Sequence, residues 1–336
     1  MIAPLKILIT GGLGFIGSNF IRYMLSEYPD YRIINLDKVG LGANQNNLKD
    51  IENDERYRFI KGSVTNCRLI SSLIKNIDVI INFAAETHVD RSIANPKQFF
   101  FSNTLGVFTI LEALREHNPK ATFIHISTDE TYGDIREGSF NEESRLKPSN
   151  PYSASKAAAD MFILAYHRTY NLNTFILRPT NNFGPYQFPE KLIPKTIIRA
   201  SRNLPIPIYG KGTNIRDWLY VIDTCKAIEL IMHKGEPGEI YNISAGNEYS
   251  NIEVVKKILK AMDKPETLIT FVEDRPGHDV RYSLDSTKIR KLGWRPQYGF
   301  EEALKDTVKW YMENEWWWKP LASKKILSPT PWRLRW

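Results

Sequence analysis

Leu5–Lys6–Ile7–Leu8–Ile9–Thr10–Gly11–Gly12–Leu13–Gly14–Phe15–Ile16–Gly17 is the stretch whose reading decides the fold. Its first six residues are short, apolar and partly β-branched, the composition of a strand buried on both faces. Glycines at 11, 14 and 17 give a tight turn, let backbone approach a pyrophosphate, and let a helix pack closely on the strand. From Ser18 to Leu25 the apolar residues Phe20, Ile21, Met24 and Leu25 recur at helical spacing. The glycines therefore open a helix whose first amides and dipole favour an anion. A glycine pattern alone is weak evidence; the strand before it and the helix after it supply the context it requires.

Working outward, Tyr31 to Leu36 reads as a second strand and ends at Asp37, twenty residues after Gly17. A carboxylate there accepts from both ribose hydroxyls of an adenosine and repels a 2′-phosphate. NAD is favoured over NADP, with Lys38 next door weakening the repulsion. Gly40 to Lys49 reads as a glycine- and asparagine-rich loop, and Arg58 to Ile60 as a strand ending at Gly62–Ser63, where adenine would lie. Asn66 to Lys75 reads as a helix, Val79 to Phe83 as a strand, Phe99 to His117 as a helix with Asn103 inside it, and Ala121 to Ile126 as a strand. Small residues at Ala84 and Ala85 would let a cofactor lie against backbone; a simple turn accounts for them equally well. Strands alternating with helices predict an α/β chain: a Rossmann-like, doubly wound parallel sheet with a smaller, discontinuous C-terminal substrate domain. Ligands of such sheets bind beyond the carboxyl ends of the strands.

Thr128, Asp129 and Glu130 fall at one of those ends. Ser, Thr and Asp are common helix caps. Two adjacent carboxyls at a buried strand end also repel each other, which moves their pKa values up and apart and suits one to be an acid and the other a base. Further on, Tyr152 and Lys156 stand four apart, on one face of a helix opened by Pro151. A phenol titrates near 10 in water; a neighbouring ammonium and a positive nicotinamide would favour the phenolate and make Tyr152 a base near neutral pH.

The 336 residues carry 42% hydrophobic and 25% charged side chains, ordinary for a globular protein with material for one large or two medium domains. The net charge of +7 is spread along the chain, which suits an anionic small molecule and carries no nucleic-acid-binding signature. Cys67 and Cys225 read as buried small residues rather than a disulfide, and the six histidines form no metal-like spacing. No leader pattern or membrane-length apolar run is present, so a cytoplasmic protein without a membrane partner is expected.

The chain resembles the nucleotide-sugar 4,6-dehydratases of the extended short-chain dehydrogenase/reductase family from Lys6 to about Tyr311. The motifs that carry the resemblance are Thr10 to Gly17, Ala84 to Ser92, Ser127 to Glu130, Tyr152 to Lys156, Asn181 to Leu192, Arg216 to Trp218 and Asp274 to Tyr282. It implies catalytic roles for Thr128, Asp129, Glu130, Tyr152 and Lys156, and an NAD site made by Gly11, Gly14, Phe15, Ile16, Gly17, Asp37, Lys38, Ser63, Val64, Phe83, Ala84, Ala85, Ser102, Tyr152, Lys156 and Asn182. Substrate contacts are implied for Thr87, Thr128, Asn181, Lys191, Leu192, Pro207, Tyr209, Arg216, Asn251, Arg275 and His278, with dTDP-glucose as the implied substrate. Tyr152 would deprotonate the sugar 4-hydroxyl, Glu130 would take the C5 proton, and Asp129 would protonate the leaving 6-hydroxyl. A 4-epimerase needs no such carboxyl pair; a non-catalytic relative would have lost Thr128, Tyr152 or Lys156. The chain departs from the family at Ser63 (usually Asp), Thr87 and Thr180 (usually Ser) and Phe183 (usually Tyr).

In the second half, Thr174 to Arg178 reads as a strand whose ladder Pro179 stops, and Asn181 to Pro194 as a ligand-holding loop. Pro207, Ile208 and Tyr209 would pack on the pyrimidine, and Arg216, Asn251, Arg275 and His278 would hold diphosphate and sugar. Trp218 to Val221 and Ala227 to Ile231 read as a strand and helix returning to the first domain; Asn251 to Met262 and Phe300 to Tyr311 read as helices. The expected division is a nucleotide domain at 1–180 with a return segment near 214–245, a substrate domain at 181–315, and an aromatic, basic tail at 316–336 that packs on the body. The resemblance implies a homodimer.

Overall fold

The computed structural model describes residues 4–336. Its strands are β1 Lys6–Thr10, β2 Arg32–Asp37, β3 Tyr57–Lys61, β4 Val79–Asn82, β5 Thr122–Ile126, β6 Thr174–Pro179, β7 Asn181–Phe183, β8 Ile206–Tyr209, β9 Ile215–Tyr220, β10 Ile240–Ile243, β11 Glu248–Ser250 and β12 Ile269–Val272. Seven of them make one sheet in the order β10-β6-β5-β4-β1-β2-β3, every pair parallel. The chain winds outward from β1 to β3, then returns to lay β4 on the other side of β1. That reversal opens a crevice at the carboxyl ends of β1 and β4, the place where such sheets bind ligands.

Alternate strand residues feed opposite faces. Ile7, Ile9, Ile81 and Ile124 pack with the helices Phe15–Glu27 and Val221–Lys234. Leu8, Ile80 and Phe123 pack with the helices Cys67–Ile74, Gly106–His117 and Pro151–Tyr170. Each fully buried aliphatic side chain in these two layers contributes about 1.5–3 kcal/mol. Asn150 starts the long helix Pro151–Tyr170 with a reciprocal capping box to Ser153, Pro151 having no amide to satisfy. That fixes the turn on which Tyr152 sits.

The rest of the chain builds a mixed sheet β11-β9-β7, a parallel pair β12-β8, and an apolar cluster of its own around Phe183, Trp218, Ile258, Leu304 and Tyr311. The tail packs on the body as expected. Trp317 and Trp318 are buried in that cluster, and the Trp317 indole donates to Asn47 Oδ1 at 2.7 Å.

Several local expectations are corrected. The loop at 40–49 is partly ordered as a 3-10 segment Gln45–Ile51, capped by Asn44. The helix expected from Phe99 to His117 carries a π-helical segment at Phe100–Leu105. Pro179 does not stop its ladder: it pairs with Ile243, and the Thr180 amide reaches the Ile243 carbonyl. In a parallel strand successive residues face opposite neighbours, so the amide that Pro179 lacks would point toward β5, which has already ended at Ile126. Asn181–Phe183, read as loop, is the short strand β7. The strand at Trp218 pairs with β7 and β11, not with the large sheet; the strand that returns is β10, which lies inside the return segment expected near 214–245 but was not itself read as a strand. Cys67 is exposed rather than buried, because it is the first residue of its helix; Cys225 is buried, and both are free.

Candidate active site

A cavity of about 270 Å³ lies beyond the carboxyl ends of β1, β2, β4 and β5, and every residue assigned above to the cofactor lines it. Its floor is backbone. Gly11 has φ +73°, and a Cβ there would lie 2.5 Å from the Ala84 amide nitrogen. A Cβ on Gly17 would lie 2.7 Å from the Gly11 carbonyl oxygen. The helix Phe15–Glu27 starts at Gly14 with no side-chain cap, so its first amides remain available to an anion. These features fit a dinucleotide. Asp37 accepts from the amides of Leu13 at 3.0 Å and Val39 at 2.8 Å, and burial raises its pKa. Lys38 is paired with Glu86 at 2.7 Å, so it is not a free partner for a 2′-phosphate. Ser63 keeps its hydroxyl at the cavity, shared with Thr65 at 2.8 Å.

The strand end at Thr128 combines both of its sequence readings. Thr128 is extended and caps the 3-10 turn Asp129–Tyr132, accepting from the Glu130 amide at 3.3 Å. It also presents the two carboxyls to the cavity. Asp129 is 3% exposed; one oxygen takes the Thr128 hydroxyl at 3.1 Å and the other has no partner. Burial, then the charge of Glu130, pushes its pKa up to about 8. Burial raises Glu130 as well, but Arg275, Arg216 and Lys191 oppose the rise. Both carboxyls are therefore raised, but for Asp129 the neighbouring Glu130 charge adds to burial, whereas at Glu130 three cations hold the rise back.

The Tyr–Lys pair departs from expectation. The Tyr152 phenol is raised by burial and by Glu130, with the Thr128 hydroxyl working the other way. The Lys156 ammonium is turned instead to the Ile126 carbonyl at 2.7 Å and to His125 Nε2 at 3.0 Å. Behind it lies a buried polar chain. The Asn82 amide is 2.9 Å from His125 Nδ1, and Arg178 and Ser127 converge on Asp160, which raises the Lys156 pKa against the burial that lowers it to about 8. Favouring the phenolate therefore falls to positive charge brought into the cavity rather than to Lys156 alone.

A second cavity of about 160 Å³ continues from the first, and Thr87, Glu130, Asn181 and Lys191 line both. Leu192, Pro207, Tyr209, Arg216, Asn251, Arg275 and His278 complete its expected lining; Thr128 lines only the first. Lys191 reaches across to the Thr87 carbonyl at 2.8 Å. His278, lowered to about 4 by burial and by Arg275 and Arg216, stands at Asp274 at 2.6 Å. Arg216 lies 4.1 Å above the Tyr282 ring, with its tip on the Asp279 carbonyl at 3.0 Å.

The residue-by-residue reading missed a shell of buried ions. Asp90 takes Tyr209 and Arg275, each at 2.9 Å. Arg91 bridges Glu86 at 2.9 Å and Glu190 at 3.0 Å. Asn103, on the π-helical segment, clamps both backbone groups of Glu86 and bonds Ser155 at 2.9 Å. His88, Lys195 and Tyr282 line the second cavity without having been assigned. Asp90, Arg91 and Tyr282 sit inside quoted motifs; for Lys195 no local signal was present.

A family model described as GDP-mannose 4,6 dehydratase matches residues 8–307. The low-salt glycan biosynthesis protein Agl12 of Haloferax volcanii is 45% identical, over 93% of this chain and 100% of its own length. The dTDP-glucose 4,6-dehydratase of Streptomyces niveus is 44% identical, over 97% of this chain and 98% of its own. Among solved structures, DesIV, a dTDP-glucose 4,6-dehydratase from Streptomyces venezuelae with NAD and TYD bound, matches with a TM-score of 0.92 at 43% identity, covering 94% of this chain and 100% of that one. With its two joined cavities and its Thr128–Asp129–Glu130 and Tyr152–Lys156 groups, the chain belongs to the GDP-mannose 4,6 dehydratase family of the extended short-chain dehydrogenases/reductases, and dTDP-glucose 4,6-dehydratases are among its relatives.

Proposed function

We propose that this protein is an NAD-dependent dTDP-glucose 4,6-dehydratase, a hydro-lyase that forms dTDP-4-keto-6-deoxy-glucose. The observation that carries this reading is the carboxyl pair Asp129 and Glu130: Asp129 lines the first cavity, and Glu130 next to it lines both. An epimerase, which returns hydride to C4, has no use for a protonated carboxyl beside a cation-flanked one. In the first cavity, Gly11, Gly14 and Asp37 would hold NAD, which would supply a hydride acceptor for C4 and a hydride donor for C6. The chain handles the protons. Tyr152 removes the proton of the 4-hydroxyl, and the Thr128 hydroxyl, free to turn from Asp129, holds the same oxygen. The C4 ketone acidifies the C5 proton, which Glu130 takes. Asp129 delivers its proton to the 6-hydroxyl, and water leaves. Hydride arrival at C6 is matched by return of a proton from Glu130 to C5.

Arg275, Arg216 and Lys191, which draw Glu130 toward ionisation, support the second cavity as the seat of the diphosphate and sugar. Asn181, Leu192, Asn251 and His278 support it as further lining, and Pro207 and Tyr209 as the slot for a flat base. The division into a nucleotide domain at 1–180, completed by β10, a substrate domain at 181–315 and a tail at 316–336 is supported by the separate apolar clusters. A homodimer is supported by Phe100, Phe101, Met161, Phe162 and Tyr170, large apolar side chains exposed on two neighbouring helical segments. Two free cysteines support a reducing, cytoplasmic setting; among the described residues no helix is long and apolar enough to cross a membrane. The test is turnover of dTDP-glucose, UDP-glucose and GDP-mannose by the purified protein with NAD, read by mass spectrometry. Loss of one water from dTDP-glucose with the highest kcat/KM supports the reading; preference for another nucleotide, or an unchanged mass with inverted C4, contradicts it.

A further inference from the structure

The last ten residues lie beyond the family match, which ends at residue 307, yet they fasten several pieces of the second cavity together. The carbonyls of Leu327 and Ser328 accept from Arg199 at 2.8 Å and from Lys195 at 3.3 Å, on the helix Leu192–Ser201. Lys195 is a cation inside the cavity. Trp332 is 8% exposed and stands edge-on to Tyr209, ring centroids 4.8 Å apart and planes at 82°. The Tyr209 hydroxyl is fixed at its other end on Asp90 at 2.9 Å. At the chain's end the Trp336 carbonyl accepts from Asn95 at 3.3 Å, and the Arg91 guanidinium lies 5.7 Å from its ring.

A terminal segment that only stabilised the fold would bury its aromatics in the apolar cluster, as Trp317 and Trp318 do. Trp332 instead touches a residue that lines the cavity, and the segment ties the helix at 192–201 to the one at 89–94, both of which contribute residues to its lining. A ring held at both its edge and its hydroxyl loses little freedom when a flat base docks on it, which is where preorganisation raises affinity. From this we infer that residues 327–336 form a strap over the base end of the cavity, with Trp332 a positioning residue that acts through Tyr209 on binding of the pyrimidine nucleoside diphosphate. The inference rests on the reading that this cavity takes the nucleotide.

The test compares the full-length holoenzyme with Trp332→Ala, Trp332→Phe and Trp336→Ala. It reads dTDP binding by calorimetry, KM and kcat for dTDP-glucose, bound NAD, and Tm. Trp332→Ala is expected to weaken dTDP binding and raise KM about tenfold, roughly 1.4 kcal/mol, with kcat within about twofold and bound NAD unchanged. Trp332→Phe, which keeps an edge against Tyr209, should recover most of the loss. Trp336→Ala removes the ring beside Arg91 and its indole bond to the Pro331 carbonyl at 2.8 Å, loosening the far end of the strap without touching Tyr209; it should weaken dTDP binding about threefold, so the inference stays testable if Trp332→Ala does not fold. Folded variants that bind dTDP like wild type, or that lose kcat while KM holds, overturn it, as does a Trp336→Ala protein altered in Tm alone. Wild-type protein that binds no dTDP overturns the nucleotide reading itself; wild type that binds dTDP but does not dehydrate dTDP-glucose overturns only the proposed reaction.

Discussion

The two cavities are built by different means. The first is walled by consecutive residues of single strand–turn–helix units, and its decisive feature is backbone: glycines at 11 and 17 where a Cβ would strike a neighbouring main chain. The second is walled by side chains from dispersed segments, and its decisive feature is charge: Asp90 gathers Tyr209 and Arg275 from 119 and 185 residues away. A backbone cradle is a local property of sequence. An ion network is a property of the finished fold. The chemistry sits where the two meet, at Glu130, with Asp129 beside it on the wall of the first.

The largest expected effect is at that junction. Asp129→Asn keeps the shape of the site but removes its acid, and elimination should slow about 10²–10⁴-fold. Oxidation at C4 should remain visible as NADH absorbance in a single turnover. If NADH formation falls in step, Asp129 serves both cavities and the division of labour is wrong. Next comes the backbone cradle: Gly17→Ala puts a methyl 2.7 Å from the Gly11 carbonyl oxygen and 2.8 Å from the Gly12 Cα. Displacing the turn by about 1 Å should lower activity roughly 10²-fold, with NAD missing from the purified protein and dTDP binding intact. Loss of both ligands would mean that the cavities are not separable. Arg275→Ala should do the reverse, raising KM for the sugar nucleotide roughly tenfold to a hundredfold, as expected for losing a hydrogen-bonded charge, while NAD content holds.

The smallest effect is on stability. Folded Asp129 titrates near 8 against an ordinary 3.8. Below about pH 4 both states are protonated and the residue costs nothing. As pH rises from there toward 8 the unfolded chain ionises and the folded one does not, so stability is lost across that window. Asp129→Asn should therefore be more stable than wild type at neutral pH by roughly 0.5–2 kcal/mol, with the gap closing near pH 4. Chemical denaturation at several pH values reads it. Equal stability throughout would show that Asp129 is ionised in the fold and is not the acid.

The same contrast explains what could be read from sequence. Thr10 to Gly17 and Asp37 disclosed the first cavity because strand, turn and helix signals are adjacent. Pro151, Tyr152 and Lys156 disclosed a helix face, but not that Lys156 would be drawn to His125 and the Ile126 carbonyl, since those lie on β5. The π-helical segment at Phe100–Leu105 left no mark on the apolar periodicity, although it sets Asn103 against Glu86. The residues of the second cavity were named through family resemblance; no local rule joins Asp90 to Tyr209 and Arg275. Thr128 was ambiguous between cap and chemistry because it is both.

The most direct test of the account follows one hydride. Purified protein is incubated with dTDP-glucose deuterated at C4, and the label is located in the product by NMR. The account predicts deuterium at C6 of a 4-keto sugar that has lost one water. Deuterium retained at C4 of a hexose with inverted configuration, or washed out without dehydration, would contradict it.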